Sequence, residues 1–244
     1  MTVDVQQTVR EVALNIPAAT RVFEKLGIDY CCGGGKSLEQ ACGAANLQLQ
    51  KVVELLRAAE LSDEARQFPA AIDRTTAPLA DLIHHIETTH HAYTREEIAR
   101  LRPLFEKVCR AHGDKHPELY DIRNNFEFLA QELTTHMMKE EVVLFPYIER
   151  LEEAVISGEP VIPAPFGTVE NPVAMMQHEH DTAGNLLRSM RSLSGGYHPP
   201  AQACTSYTTL YAALVEFERD LHQHIHLENN VLFPRTIAME KSCQ

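Results

Sequence analysis

Two short runs, His136-Met-Met-Lys-Glu140 and His224-Ile-His-Leu-Glu228, each place an imidazole and a carboxylate four residues apart. On a helix such residues lie on one face a turn apart, so each run can offer a nitrogen and an oxygen to the same point. Both runs lead into a Phe-Pro pair, Phe145-Pro146 and Phe233-Pro234, and each follows a further histidine. His91 precedes His136 by 45 residues and His180 precedes His224 by 44. The unit therefore occurs twice, which implies an internal duplication and a twofold-like set of metal ligands.

The apolar residues around these groups decide which way they point. Leu129, Leu133, His136, Glu140, Val143 and Tyr147 form one stripe at spacings of three and four. Leu214, Phe217, Leu221, His224, Glu228 and Val231 form a second, and His180 interrupts a third made by Val173, Met176, Ala183, Leu187 and Met190. Five polar groups thus face a core, where an uncompensated charge costs several kcal/mol. Metal supplies the compensation. Four imidazoles and two carboxylates give two metals two histidines each, with glutamates able to bridge, and this N/O set suits iron first, then manganese or zinc. The lack of cysteine among them argues against a tetrathiolate zinc or an iron–sulfur cluster in the bundle. A ferritin-like site needs Glu-x-x-His on two helices, and only Glu87-Thr-Thr-His90 fits. In the first helix, the stripe Leu79, Ile83, Ile86, Tyr93 favours His90 as the ligand, whereas the duplicated spacing favours His91. Acids stand four residues before three of these histidines, at Glu87, Glu132 and Asp220, and Glu179 adjoins His180. They are candidates to orient ligands or carry protons, against the simpler reading of solvated helix faces. His84 is a candidate for supporting a ligand, while His85, His112, His116, His178, His198, His222 and His226 read as loop or solvent residues.

Four long helical segments, roughly 79–112, 117–155, 170–193 and 200–239, must carry these groups. Short breaks separate the first from the second and the third from the fourth, and a longer Pro- and Gly-containing connection runs between the pairs. The expectation is all-α: an antiparallel four-helix bundle preceded by a small helical domain. In that domain Pro17 suits a first helical turn, Gly27 a stop, and Ser37-Leu-Glu-Gln40 a capping box. Asp29-Tyr-Cys-Cys-Gly-Gly-Gly35 reads as a loop carrying two thiols. The boundaries follow as a small domain over 1–62, a linker over 63–78 and the bundle over 79–244.

With 244 residues, 44% apolar and 23% charged, the chain has an ordinary globular composition and length for one or two cores. Its net charge of -12 gives nucleic acid no electrostatic footing. No apolar run approaches the ~18 residues that span a bilayer, and the opening residues lack a signal-peptide layout, so no membrane partner and a cytoplasmic location are expected. Six cysteines are sparse for a disulfide framework. Cys42, Cys109, Cys204 and Cys243 read as passive, small apolar residues.

Asp29-Tyr-Cys-Cys-Gly-Gly34, His136-Met-Met-Lys-Glu-Glu141, Glu179-His180-Asp181 and Leu227-Glu-Asn-Asn-Val-Leu-Phe-Pro-Arg235 together resemble the iron–sulfur cluster repair di-iron proteins, the repair-of-iron-centres family with its hemerythrin-like domain. The resemblance covers nearly the whole chain. It implies two non-haem irons, oxo- or hydroxo-bridged and carboxylate-bridged, held by His91, His136, Glu140, His180, His224 and Glu228, and so selects His91 over His90. It also implies solvent-tunnel carboxylates at Glu132 and Glu179, and family thiols at Cys31 and Cys32, a redox or metal-transfer pair whose mutual disulfide would be strained. The implied function is repair of iron–sulfur proteins after nitrosative or oxidative damage, by iron donation or by nitric oxide reductase-type chemistry. Partners would be damaged iron–sulfur proteins, nitric oxide or dioxygen, with a homodimer allowed. The alternative is a hemerythrin-type dioxygen carrier or sensor, which relies on a more His-rich set; an iron-storage role lacks its motifs.

Overall fold

The computed structural model describes residues 4–16, 18–61, 76–161 and 164–243. Pro17 and all but the last three residues of the expected 63–78 linker lie outside them. Among the described residues the secondary structure is helical, with isolated bridges such as Thr8–Ser37 but no strand. Two compact units divide the chain: Met1–Pro78 with His222–Arg235, and Leu79–Leu221 with Thr236–Gln244.

The first unit starts with α1 (Val9–Asn15), α2 (Ala19–Leu26), α3 (Leu38–Ala44) and α4 (Leu49–Glu60). Capping boxes start α1 and α3: Thr8 with Glu11, and the expected Ser37 with Gln40. Gly27 ends α2 at φ 67°, a left-handed conformation that costs a glycine nothing. Val9, Phe23, Tyr30, Leu38 and Leu56 fill the core that these short helices share. None of the three glycines after the cysteines has positive φ, and two of them, Gly33 and Gly34, are required by space. A Cβ on Gly34 would lie 2.8 Å from the Tyr30 carbonyl oxygen.

The second unit starts with α5 (Leu79–His85), a π-helical stretch π1 (Ile86–His91) and α6 (Ala92–His112). α7 (Glu118–Lys139), π2 (Glu140–Leu144) and α8 (Phe145–Ser157) form the second long helix, and α9 (Glu170–Leu193) the third. α10 (Thr205–Leu227), π3 (Glu228–Leu232) and α11 (Phe233–Ser242) form the fourth, of which His222–Arg235 count with the first unit. α7 packs on α6 and α9, and α5 on α8. Phe126 joins Phe105 and Phe217 in an aromatic core, ring centroids 5.0 and 5.8 Å apart. Each such buried ring contributes roughly 1.5–3 kcal/mol of transfer free energy.

The duplication extends into the helix starts. Glu152 lies twelve residues after Glu140, and Glu240 twelve after Glu228. The Glu152 carboxylate accepts from the N–H groups of Leu79 and Ala80 at 2.7 and 3.0 Å, capping α5. Glu240 accepts from the Val169 N–H and the Thr168 hydroxyl at 3.0 and 2.7 Å, capping α9. Each buried carboxylate thereby satisfies orphan donors at a helix N-terminus, where the dipole favours negative charge.

Candidate metal centre

The helices break their α-helical pattern at the candidate ligands. π1 ends on His91, π2 starts on Glu140 and π3 starts on Glu228. In the latter two the N–H of Phe145 and of Phe233 reaches back five residues to the carbonyls of Glu140 and Glu228. The Phe-Pro pairs give the physical reason: proline has no N–H to return and its ring crowds the preceding turn, so the helix widens there. The extra residue per turn also re-aims the faces. Val143, expected inside, is 46% exposed, and Leu144 takes the core position.

In the second unit, His91, His136, Glu140 and His180 are all buried, Glu140 completely. Glu140 Oε1 lies 3.3 Å from His136 Nε2, and Oε2 lies 3.4 Å from His91 Nε2. His136 Nε2 and His180 Nε2 are 3.1 Å apart. Each carboxylate oxygen thus has an imidazole before it, and His136, Glu140 and His180 offer ligand atoms within 4.8 Å of one another.

The far side of two rings explains their orientation. His91 Nδ1 lies 2.7 Å from Glu141 Oε1, and His136 Nδ1 lies 2.9 Å from Glu179 Oε2. A carboxylate accepts, so Nδ1 donates to it, and Nε2 is left facing Glu140 as the atom a metal would take. Arg95 holds Glu141, and Lys139 holds Glu179. The hydrogen bond from His136, aided by Lys139, brings Glu179 down to about 2, so it stays an anion. Glu141 also lies below its usual range: burial pushes it up, but the Arg95 and His91 bonds outweigh that. Buried imidazole lone pairs around a carboxylate form a donor set that fits a divalent cation of the iron class.

His90, the other histidine of the adjacent pair, is also buried but turns elsewhere: its Nδ1 meets Asp220 Oδ1 at 3.0 Å. Asp220 therefore serves His90 and Glu179 serves His136, neither acting on the histidine next along its own helix. Glu132 is half-buried and stands one turn before His136 on α7, while His84 is exposed. Glu141 was missed in the sequence; its position beside Glu140 in the Glu-Glu pair was the available signal.

In the first unit, His224 and Glu228 are fully enclosed, with Nε2 and Oε1 3.0 Å apart. The next two residues hold the cysteine loop. Asn229 Nδ2 donates to the Cys31 carbonyl at 3.3 Å, and Asn230 Nδ2 donates to the Tyr30 carbonyl at 3.0 Å. His226 and His222, read from the sequence as solvent residues, belong to the same contact. The His226 ring lies 5.3 Å from that of Tyr30, and His222 Nδ1 lies 2.9 Å from Glu24 Oε1.

Cys31 is buried, Cys32 partly exposed, and both are free thiols with sulfurs 3.8 Å apart. Asp29 Oδ1 accepts from the Cys32 and Gly33 N–H groups at 2.9 and 3.0 Å and from the Cys31 thiol at 3.4 Å. Burial pushes the Asp29 carboxyl up, but these bonds and His222 hold it below the usual range. The Cys32 contact, burial and Asp29 push the Cys31 thiol well up, so at neutral pH it is protonated. Asp29, Cys31 and Cys32 form a second group with ligand atoms within 4.8 Å.

Comparison with known proteins joins these parts. The hemerythrin HHE cation binding domain matches residues 82–236, a span that contains all six candidate ligands, and a domain of unknown function, DUF542, matches residues 5–60. The iron-sulfur cluster repair protein YtfE of Pectobacterium carotovorum subsp. carotovorum is 38% identical over 96% of this chain and 98% of its own length. That of Escherichia coli O157:H7 is 38% identical over the same shares, and the probable iron-sulfur cluster repair protein of Haemophilus influenzae is 38% identical over 95% and 97%. No described helix is long and apolar enough to cross a membrane. With both domains matched in order and relatives aligned end to end, the chain belongs to the hemerythrin-like iron–sulfur cluster repair family.

Proposed function

We propose that this protein repairs iron–sulfur clusters damaged by nitrosative or oxidative stress, and that His91, His136, Glu140, His180, His224 and Glu228 hold two irons, with both glutamates bridging. One observation carries the reading: the buried Glu140 carboxylate faces the Nε2 atoms of His91 and His136, whose opposite nitrogens are fixed by Glu141 and Glu179. Full-length similarity to named repair proteins supports repair over dioxygen carriage. Bound irons supply redox capacity, labile positions for nitric oxide or dioxygen, and iron that can be given up. The protein's own groups orient the imidazoles, with Glu141 and Glu179 holding the Nδ1 side so that Nε2 faces Glu140, and burial encloses the Glu140 and Glu228 carboxylates. Glu132 serves with Glu179 as a tunnel carboxylate, and Cys31 and Cys32 serve as transfer or redox thiols.

The test uses anaerobically purified protein: metal content, Mössbauer spectra, and the response to nitric oxide. Two coupled irons per chain and nitrous oxide formed over many turnovers support reduction. Loss of iron to an apo-cluster acceptor without turnover supports donation. Zinc, or no metal, would overturn the assignment. Reversible dioxygen binding with no reactivation of a nitrosylated iron–sulfur enzyme would return it to the carrier reading.

A further inference from the structure

Away from the candidate ligands, a histidine read from the sequence as a loop or solvent residue and a cysteine read as passive meet at the surface of the second unit. His112 is the last residue of α6, and Cys204 immediately precedes α10. The Cys204 carbonyl accepts from the N–H groups of Tyr207 and Thr208 at 2.9 and 3.1 Å, which makes Cys204 the N-cap of a 23-residue helix. His112 Nε2 lies 3.1 Å from Cys204 Sγ. Cys204 is exposed and His112 half-buried. Behind His112 stands the buried Tyr207 ring, its centroid 5.2 Å away. On the other side of Tyr207, His116 packs at 5.8 Å and pairs with Glu118 at 3.0 Å.

The placement favours the thiolate form of Cys204. A thiolate at a helix N-terminus meets the positive end of that helix, and His112 lies within hydrogen-bond reach to donate to it. Among the described residues Cys204 is exposed, so a small electrophile can reach its sulfur.

We infer that Cys204 and His112 form a nucleophilic thiolate–imidazolium pair whose substrates are low-molecular-weight disulfides, making Cys204 a site of reversible S-thiolation. In the reaction the Cys204 thiolate attacks one sulfur of the small disulfide. A new S–S bond forms to Cys204 as the old one breaks, and the departing thiolate takes the proton from His112 Nε2. One mixed disulfide and one free small thiol result, with no further oxidant, and the same steps in reverse release the protein. The hydrogen bond from His112, with N–H groups of Tyr207 and Ser206, brings the Cys204 thiol to about 7. About half is then thiolate at neutral pH, against a few per cent for an ordinary thiol near 8.5. Lower intrinsic nucleophilicity of a more acidic thiol returns part of that gain, leaving an advantage of about threefold at pH 7, larger at pH 6.

The experiment treats the full-length, metal-loaded protein with substoichiometric glutathione disulfide and follows each cysteine by peptide mass spectrometry. Cys204 is expected to be modified first, ahead of Cys243, the other exposed thiol. Its rate should level off above pH ~7.5. His112→Gln should slow it severalfold at pH 6–7 and move the midpoint of the rate profile toward 8.5, and Cys204→Ser should remove the product. The iron content of both variants, read in parallel, should equal wild type, which separates this site from the metal centre. Modification of Cys204 no faster than Cys243 in the wild type, or a midpoint that does not move in His112→Gln, would overturn the proposal.

Discussion

The two copies of the His-x-x-x-Glu unit share a spacing, a π-helical turn and a Phe-Pro exit, yet they spend their next two residues differently. After Glu140 come Glu141, which fixes the His91 ring, and Val142, which is 69% exposed. After Glu228 come Asn229 and Asn230, both buried, which donate to the Cys31 and Tyr30 carbonyls. One copy uses the turn after its glutamate to orient His91 and leaves the rest to solvent. The other uses it to grip the cysteine loop. The repeat thus keeps the buried His-x-x-x-Glu pair in both copies, while two differing positions tie one copy to the cysteine loop. Because Asn229 follows Glu228 directly, the thiol loop and a candidate bridging ligand share one turn of helix.

The largest effect tests the shared half of this comparison. If Glu140 and Glu228 are equivalent bridges, Glu140→Ala and Glu228→Ala should each purify with less than one iron per chain, because each removes an anionic ligand shared by both metals. Metal analysis decides it. Retention of two irons in either variant would break the equivalence. A smaller effect is expected from the groups behind the ligands: Glu141→Gln and Glu179→Gln should weaken iron by roughly 10–100-fold in chelator competition, since the rings lose their charged acceptors but keep their places. Unchanged affinity would mean that His91 and His136 are oriented by packing alone.

The diverged half is tested by writing the first copy's residue into the second. Asn230→Val leaves the Tyr30 carbonyl without its donor, at a cost of about 1–3 kcal/mol for a buried unsatisfied group. It should lower the urea midpoint and raise the labelling rate of Cys31, now 5% exposed, severalfold, while iron content holds. Loss of iron with no change at Cys31 would reverse the roles assigned to the two copies.

How legible this was in the sequence depended on the range of each interaction. The i, i+4 pairing of His and Glu, the Gly27 stop and the Ser37 capping box are local. The structure buries His136 with Glu140 and His224 with Glu228, and it starts and stops the short helices at Ser37 and Gly27. His91 over His90 was not local: the stripe favoured His90, which is indeed buried, and only the duplicated spacing and the resemblance pointed to His91. The partners of ring nitrogens are set between helices. Glu179 therefore serves His136 on another helix, and Asp220 serves His90, which no spacing along one helix could announce. Val143 faced outward because a π-turn shifts register by one residue, a consequence of Phe-Pro that the sequence contained but a strict 3.6 period cannot express. His226 joined a core because the partner ring, Tyr30, lies nearly two hundred residues earlier in the chain.

The smallest effect concerns the outer ends of the two copies, where Glu152 and Glu240 repeat each other as helix caps. Glu240 also accepts from the Tyr147 hydroxyl, at 2.5 Å. Burial pushes the Glu240 carboxyl up, but the hydroxyls of Tyr147 and Thr168 and the Val169 N–H outweigh that, so its pKa in the folded protein lies below the ordinary value. A depressed carboxyl stabilises the fold fully above its unfolded pKa, near 4.3, and that contribution is lost as pH falls through the lower folded value. Glu240→Gln should therefore cost about 1 kcal/mol near neutral pH, a cap-sized effect, or roughly 2–4 °C in Tm. The gap between wild type and variant should hold down to pH ~5 and close below it, because protonated wild type and glutamine are then alike in charge. Urea midpoints from pH 3 to 7 would show it. A gap independent of pH would mean that Glu240 caps α9 through shape and hydrogen bonding alone, and that its negative charge adds nothing to the duplicated frame.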